Sequence, residues 1–300
     1  MANDSKQEWT GKSRGGSLGT WFFVFTLRHL GVRSAYVLLF FVVPYFVLFA
    51  PKASKAIYKY YRSIVGKGHL RSFFLIFSHF YTFGQTLIDK IALKHGLNSS
   101  FTFDYGQNYQ DFLKTLDRGC GAIIISAHVG SWEIGAPYLF DYGKRINIVM
   151  LDAEYSKIKH VIEKGAEKAD FKVIPLGSDG LESIIRIKNA LDQHEYVCFQ
   201  GDRYMNDSNT IERDFMNHKA LFPKGLFKLA VKMRVPVIFY FAMREPRRHY
   251  RFIFHIADTD FTGRSADGYE ILINQYIKKL EEIVKEYPKQ WFNFYNFWLK

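Results

Sequence analysis

Short apolar runs that alternate with helical patterns predict an α/β fold. Four runs are rich in β-branched residues and bounded by glycine or polar residues, as is typical of buried strands; they are 122–126, 146–150, 171–175 and 196–200. Segments with apolar residues at helical spacing lie between them, at 132–142, 155–168 and 180–193. Strands alternating with helices of this length predict βαβ units, and therefore a mostly parallel central sheet flanked by helices.

The rest of the chain continues this pattern. Helical spacing predicts further helices, and alternation or apolar content predicts further strands; the helices are 69–95, 110–116, 223–233 and 269–287, and the strands are 235–243 and 252–256. Residues 203–221 are polar and without periodicity. We therefore expect them to form a long loop that acts as a lid or a binding loop.

The most apolar segment of the chain is Ser34–Ala50, seventeen residues without a charge. Its length is the lower limit for a helix that spans a bilayer. Three interpretations stay open: a transmembrane helix, an anchor lying in the membrane interface, and a buried core helix. Arg33 and Lys52 flank both ends, so the distribution of basic residues does not set an orientation. Pro44 is expected to kink or break a helix here, which favours a tilted or re-entrant anchor.

Net charge and aromatic content also indicate a lipid partner. The chain carries a formal charge of +12. Residues 1–71 hold eleven Lys and Arg against two acidic residues, so they contribute +9 of it. Basic residues beside an apolar segment attract anionic headgroups. Aromatic residues make up 18% of the chain, which suits a Phe-rich core or a surface that meets acyl chains. Nucleic-acid binding is not favoured, because no zinc-finger spacing or recognition helix is present.

The chain has two cysteines, Cys120 and Cys198, both within or beside apolar runs. Two cysteines so placed do not make a disulfide framework. We expect free thiols in a reducing cytosol.

The segment from Ile123 to Glu133 holds the strongest candidate for catalysis. His128 follows a buried strand at its carboxyl end, where ligands bind in open α/β sheets. Gly130 permits a tight turn, Ser131 is a candidate N-cap, and Glu133 falls in the first helical turn. A carboxylate bonded to one imidazole nitrogen makes the other a better base. The sequence thus predicts a His128–Glu133 pair at the end of this strand.

Other chemistries fit this segment less well. A single histidine near an apolar run is often structural, and a glutamate in a first turn often only complements the helix dipole. No His-Glu-x-x-His pattern is present, so we expect no metal site. The sequence from Gly177 to Gly180 is not a Gly-x-Ser-x-Gly elbow, which disfavours a serine hydrolase.

Four motifs carry a resemblance to a known family. The sequence SAHVGSWEIG at 126–135 resembles the His-x-x-x-x-Asp/Glu motif of glycerolipid acyltransferases. The tryptophan before its acidic residue makes it similar to the lipid A late acyltransferases and their mycobacterial mannolipid relatives, which commonly have Asn where Ser131 stands. The other three motifs occur in the same order in those enzymes; they are FQGDR at 199–203, FPKGLFKLA at 222–230 and YPKQW at 287–291.

The resemblance implies transfer of a fatty acyl group from acyl carrier protein or acyl-CoA to a hydroxyl or amine of a membrane lipid. A lipid A precursor is the first candidate acceptor. A lysophospholipid, an amino-acid lipid or a polyene lipid is the alternative, and a non-catalytic lipid-binding protein is the third. His128 would deprotonate the acceptor and Glu133 would orient His128. Acyl transfer also requires an oxyanion stabiliser, for which backbone amides near Gly130 are the candidates. Asp202 and Arg203 would orient the acceptor or the pair, or would form only a surface ion pair.

The remaining assignments rest on the resemblance together with the basic and apolar composition of the segments concerned. Ser131, Trp132 and Arg203 are expected to contact substrate. Lys224 and Arg244 lie in a basic stretch and are expected to meet a phosphorylated headgroup, a phosphopantetheine or the acidic carrier protein. No cofactor is expected. Residues 1–68 would anchor the chain to the bacterial inner membrane, and residues 69–300 would form an acyltransferase domain whose active site faces the cytoplasm.

Overall fold

The structure is a computed structural model that describes residues 17–106, 108–135, 144–151, 171–176, 180–204, 209–259 and 268–299. It divides into two compact units. The helical unit comprises the described residues up to His95 together with Asn293–Asn296, and the sheet unit comprises Gly96–Phe292 and the residues from Phe297 onward. The predicted helix 69–95 therefore packs within the helical unit. The assignment of anchoring to residues 1–68 and of catalysis to residues 69–300 stays a prediction.

The helical unit is built from three α-helices and one π-helical turn within its described residues; they are α1 (Ser17–Phe49), α2 (Pro51–Lys59), the π-helical Tyr60–Ile64 and α3 (His69–Lys94). The stretch Phe25–Phe49 of α1 is long and apolar enough to cross a membrane, by length and composition.

Helical dihedral angles continue through Pro44 and are interrupted at Gly31, whose φ is 78°. The break predicted at Pro44 is therefore wrong. Pro44 lies on the exposed face of α1, and glycine is the residue that adopts a positive φ without strain.

Helices α1 and α3 pack against each other in antiparallel fashion. The face of α1 that α3 covers is a stripe at helical spacing, formed by Val32, Ala35, Leu39 and Val43. Leu39 lies so close to Gly84 that a Cβ there would come within 2.5 Å of its side chain. Tyr36 donates a hydrogen bond to the buried carboxylate of Asp89, and the rings of Phe40 and Phe77 are 5.2 Å apart.

The sheet unit contains a seven-stranded sheet and a separate hairpin among its described residues. The strands are β1 (Thr102–Asp104), β2 (Ala122–Ser126), β3 (Ile146–Leu151), β4 (Phe171–Leu176), β5 (Tyr196–Gln200), β6 (Thr210–Phe215), β7 (His218–Pro223), β8 (Val237–Glu245) and β9 (His249–Ile256). The order in the sheet is β1-β9-β8-β2-β5-β3-β4, and only the β8–β9 pair is antiparallel. The mostly parallel α/β fold is confirmed, and so are the six predicted strands.

The described residues of this unit also form four α-helices: α4 (Tyr109–Asp117), α5 (Gly180–Asp192), α6 (Lys224–Met233) and α7 (Gly268–Glu286). All four were predicted, and α7 buries the apolar face on which its prediction was based. Its Tyr276 hydroxyl donates to the carbonyl of Ser126 at the end of β2 (2.9 Å). The predicted helix 155–168 lies outside the described residues. Of the predicted helix 132–142, the structure describes only a 3₁₀ turn, Trp132–Ile134.

The prediction of a long loop at 203–221 is wrong, because the chain forms the β6–β7 hairpin there. Polar residues face outward on β6, while Phe215 and Phe222 are fully buried. The indole of Trp298 stacks on Phe215 and donates to its carbonyl (2.9 Å). Met216 and Asn217 turn the chain with positive φ values. Neither residue is glycine, so the usual sequence signal for a hairpin turn is missing.

Candidate active site

His128 and Asp202 meet because two neighbouring parallel strands end side by side. Ser126, the last residue of β2, is in register with Gln200, the last residue of β5. His128 and Asp202 each follow two residues later. The carboxyl ends of parallel strands face the same edge of a sheet, which is where ligands bind in open α/β folds.

The Asp202 carboxylate bonds to both the ring and the backbone of His128. Its Oδ1 lies 2.9 Å from the imidazole Nδ1. The backbone N–H of His128 donates to both carboxylate oxygens, at 3.1 and 3.2 Å. The Asp202 side chain is fully buried, whereas the His128 side chain is 38% exposed. The carboxylate therefore fixes an imidazole that solvent and substrate can reach.

Two further donors complete the surroundings of the carboxylate. The guanidinium of Arg203 lies 3.0 Å from Oδ2, and the indole N–H of Trp291 donates to the same oxygen at 3.3 Å. Burial alone would raise the pKa of Asp202. The charge of Arg203, together with the charge and hydrogen bonds of His128, outweighs burial and holds the pKa of this carboxyl well below its usual range. Asp202 is therefore ionised near neutral pH.

An ionised carboxylate fixes the tautomer of His128. Carboxylate oxygens only accept hydrogen bonds, so Nδ1 must carry the hydrogen of the 2.9 Å contact. In the neutral ring Nε2 then holds the lone pair. The arrangement can take a proton from a bound hydroxyl and stabilise the resulting imidazolium. The alternative of a surface ion pair for Asp202 and Arg203 is wrong, because Asp202 is fully buried.

The segment Gln290–Phe292 holds the loop that carries His128. The N–H of Gly130 donates to the carbonyl of Gln290 (2.8 Å), and the N–H of Phe292 donates to the carbonyl of His128 (2.8 Å). The Gln290 side chain bonds both backbone groups of Arg244 on β8, at 2.9 and 2.7 Å. No role was predicted for Gln290 and Trp291. The YPKQW motif was the available signal.

Gly130 makes the turn after His128, as predicted. Its φ is +65°, and a Cβ on it would lie 2.2 Å from the carbonyl oxygen of Ala242. Ser131 occupies the N-cap position of the 3₁₀ turn without a side-chain capping bond. Its N–H donates to Ala242 (2.9 Å), and that of Gly130 donates to Gln290. The amides of Gly130 and Ser131 therefore already bond to carbonyl groups of the chain. Oxyanion stabilisation by other backbone amides near Gly130 stays a prediction.

Glu133 and Trp132 lie in the 3₁₀ turn after Ser131, and both are half-buried. Glu133 was predicted to be the carboxylate that orients His128, but the carboxylate bonded to Nδ1 of His128 is that of Asp202. A contribution of Glu133 to catalysis and a contact of Trp132 with substrate stay predictions.

Lys224 and Arg244 occupy different surroundings. Lys224 is the first residue of α6, and its Nζ lies 5.5 Å from the centre of the Tyr269 ring; Lys228 lies 5.2 Å from the same ring. Arg244 is half-buried near the end of β8, two residues after the Ala242 that contacts Gly130. Gln290 thus ties Arg244 to the His128 loop. A role of either residue in binding substrate stays a prediction.

Cysteine and metal chemistry find little support in the described part of the chain. Cys120 and Cys198 are free, as predicted, and Cys198 is buried. Within the described ranges, no three or more His, Cys, Asp or Glu side chains are grouped so that they could hold a metal ion.

Comparison with known families identifies the chain. The family model described as bacterial lipid A biosynthesis acyltransferase matches residues 75–300. The chain belongs to this family. The match includes His128, Asp202 and the four sequence motifs, so the resemblance inferred from those motifs is confirmed, and the protein is an acyltransferase. None of the curated proteins compared with the chain matches it.

Proposed function

We propose that this acyltransferase moves a fatty acyl chain from a thioester donor, acyl carrier protein or acyl-CoA, to a hydroxyl or amine of a membrane lipid. A lipid A precursor is the first acceptor to test. The observation that carries the proposal is the 2.9 Å bond between the half-exposed imidazole of His128 and the fully buried carboxylate of Asp202. A base oriented by a carboxylate is what a hydroxyl acceptor requires.

The reaction then needs no acyl-enzyme. Nε2 of His128 takes the proton of the acceptor hydroxyl. At the same time, the hydroxyl oxygen of the acceptor forms a bond to the carbonyl carbon of the thioester. The tetrahedral intermediate collapses, the carbon–sulfur bond breaks, and the imidazolium returns the proton to the leaving thiolate. The products are an acylated lipid and a free thiol. Asp202 stabilises the imidazolium between the two proton transfers.

The roles of the remaining site residues follow from their contacts. Arg203 and Trp291 hold the Asp202 carboxylate in place and ionised. We retain Glu133 as a second candidate carboxylate, because it lies five residues beyond His128 in the matched motif. Lys224 and Arg244 are candidates for contacts with a phosphate of the donor or the acceptor.

We also propose that the enzyme works at the bacterial inner membrane with its active site facing the cytoplasm. The 25-residue apolar stretch of α1 supports membrane association. The cytoplasm supplies both classes of thioester donor. Association through α1 places the enzyme in the same phase as an acceptor that does not leave the bilayer.

Lipid mass spectrometry tests the proposal. The wild type, His128→Ala and the control His194→Ala are each expressed in a strain that lacks the gene, and total lipids are compared. His194 is exposed and lies in the loop before β5, so it tests the effect of losing a histidine elsewhere. We expect one lipid class to gain one acyl chain with the wild type and His194→Ala but not with His128→Ala.

The mass of that lipid identifies the acceptor and the chain length. A gain on a lysophospholipid, an amino-acid lipid or a polyene lipid would reject lipid A precursor as the acceptor. Equal gain with His128→Ala would reject His128 as the base.

A further inference from the structure

Helix α1 has two apolar faces, and α3 covers only one of them. The residues of the other face in its second half are exposed to the surroundings; they are Val37, Phe40, Phe41, Tyr45, Leu48 and Phe49. Large exposed apolar patches mark surfaces that meet a membrane or another protein. This face is therefore a candidate interaction surface.

The start of α3 exposes a second apolar group. Leu70, Phe73 and Phe74 are 78%, 60% and 68% exposed. The antiparallel packing of α1 and α3, with Phe40 against Phe77, places the end of α1 beside the start of α3. The exposed residues at 45–49 and at 70–74 therefore lie at the same end of the helix pair.

The chain between these two groups is strongly basic. Its six basic residues are Lys52, Lys55, Lys59, Arg62, Lys67 and Arg71, and five of them are exposed while Lys67 is half-buried. No acidic residue occurs in the sequence between Glu8 and Asp89. His69, the first residue of α3, bonds to the Tyr58 hydroxyl (2.6 Å) and to Arg62 (3.3 Å). These bonds tie the basic segment to the start of α3.

We propose that this end of the helix pair, the basic apolar tip (residues 45–74), inserts into an anionic phospholipid bilayer. Leu70, Phe73 and Phe74 then form a second membrane insertion element beside α1, and the basic side chains bind lipid phosphates. The six basic side chains indicate that the partner of this surface is an anionic bilayer. A protein partner for an apolar face would not require six cations, whereas an anionic bilayer offers apolar chains below a layer of phosphates. The inference rests on the proposed membrane association of the enzyme.

Depth-dependent quenching tests the insertion of α3. A cysteine replaces Phe74, Leu48 or Lys114 in the full chain carrying Cys120→Ser, and each is labelled with a polarity-sensitive fluorophore. Leu48 reports on α1, and Lys114 is an exposed residue of α4 in the sheet unit. The proteins are reconstituted in vesicles of phosphatidylethanolamine and phosphatidylglycerol, with and without a nitroxide on the acyl chain.

We expect the label at 74 to be shifted to the blue and quenched to a similar extent as the label at 48. The label at 114 should show neither effect. Quenching at 74 no greater than at 114 would overturn the proposal, including when the label at 48 is quenched, because α1 alone would then be inserted. Circular dichroism of each labelled protein excludes misfolding at these exposed positions.

A charge-matched pair of variants tests the phosphate contacts. Lys52, Lys55 and Lys67 are changed to Gln in one variant, and Lys114, Lys188 and Lys285 in the other, so that both lose the same charge. We expect the first variant to bind phosphatidylglycerol vesicles at limiting lipid about tenfold or more weakly than the wild type. The second variant should bind like the wild type, and neither should differ on phosphatidylcholine.

Equal binding of the two variants to phosphatidylglycerol vesicles would overturn the proposal that the basic side chains of the tip bind lipid phosphates. Neither experiment involves acyl transfer. A failure of the proposed reaction therefore leaves both results interpretable.

Discussion

The site at His128 and the basic apolar tip depart from the rules of a soluble protein in opposite ways. Asp202 is a fully buried charge, surrounded by donors from His128, Arg203 and Trp291. The tip instead exposes large apolar side chains beside cations. A buried charge is retained when its partners compensate for desolvation, and exposed apolar area is retained when another phase covers it. The buried charge is explained by the donors that the chain places around it. The exposed apolar side chains are explained by the proposed contact with lipid.

The largest effect is expected from the carboxylate of the pair. Asp202→Asn keeps the shape of the side chain but loses the negative charge that stabilises the imidazolium, so we expect kcat for acyl transfer to fall by about 10²- to 10⁴-fold. Glu133→Gln is the matched variant, and it should reduce kcat less, because Asp202 occupies Nδ1 of His128. A larger loss with Glu133→Gln would return the orienting role to Glu133.

Two glycines with similar φ values allow the two regions to be compared directly. Gly130 has φ +65° and a Cβ there would lie 2.2 Å from a carbonyl oxygen, whereas Gly66 in the tip has φ +73° and open space around it. We expect Gly130→Ala to lower the free energy of unfolding by about 2–5 kcal/mol, from strain and collision together. Gly66→Ala should cost only the strain, about 1–2 kcal/mol. Thermal unfolding in detergent measures both, and equal losses would show that the collision at Gly130 is relieved by relaxation.

Two buried tryptophans distinguish the effect of losing indole packing from the effect of losing a hydrogen bond to the Asp202 carboxylate. Trp291 donates to the Asp202 carboxylate, and Trp298 donates to the carbonyl of Phe215. A hydrogen bond to a charged group contributes roughly 1.5–3 kcal/mol and one to a neutral group about 1 kcal/mol. We expect Trp291→Phe to lower both stability and kcat, and Trp298→Phe to lower stability alone. Unchanged kcat in Trp291→Phe would contradict a positioning role for this indole.

The depressed pKa of Asp202 predicts a pH dependence of stability. A folded-state pKa below the ordinary value of 3.8 means that the ionised carboxylate stabilises the fold above about pH 4. This contribution is lost as the pH falls below the ordinary value and through the folded-state value. The difference in unfolding temperature between the wild type and Asp202→Asn should therefore be largest near neutral pH and shrink below pH 4. A difference that is constant with pH would contradict an ionised Asp202.

Local patterns were sufficient to predict most of the elements. The apolar runs that became β2 and β5 and the amphipathic spacing of α7 depend on neighbours in the sequence, so periodicity identifies them. The β6–β7 hairpin was missed because its turn uses Met216 and Asn217 and because one strand is mostly polar. The break in α1 falls at Gly31 rather than Pro44, since backbone freedom rather than the missing N–H determines it.

The residue that bonds to His128 could not be identified from local patterns. Glu133 is five residues away in the sequence, whereas Asp202 reaches His128 only because β5 lies beside β2 in register. Strand order is a property of the whole fold, and no local pattern encodes it. The hydrogen bonds that occupy the amides of Gly130 and Ser131 come from Gln290 and Ala242, which are likewise distant in sequence.

A double-variant cycle tests whether His128 and Asp202 act as a pair. Rates of acyl transfer are measured for His128→Ala, Asp202→Asn and the double variant. If Asp202 acts through His128, the double variant should be no slower than His128→Ala alone, because residues that act as a unit are not additive. If the two losses multiply, Asp202 contributes independently of His128, and the proposed pair is wrong.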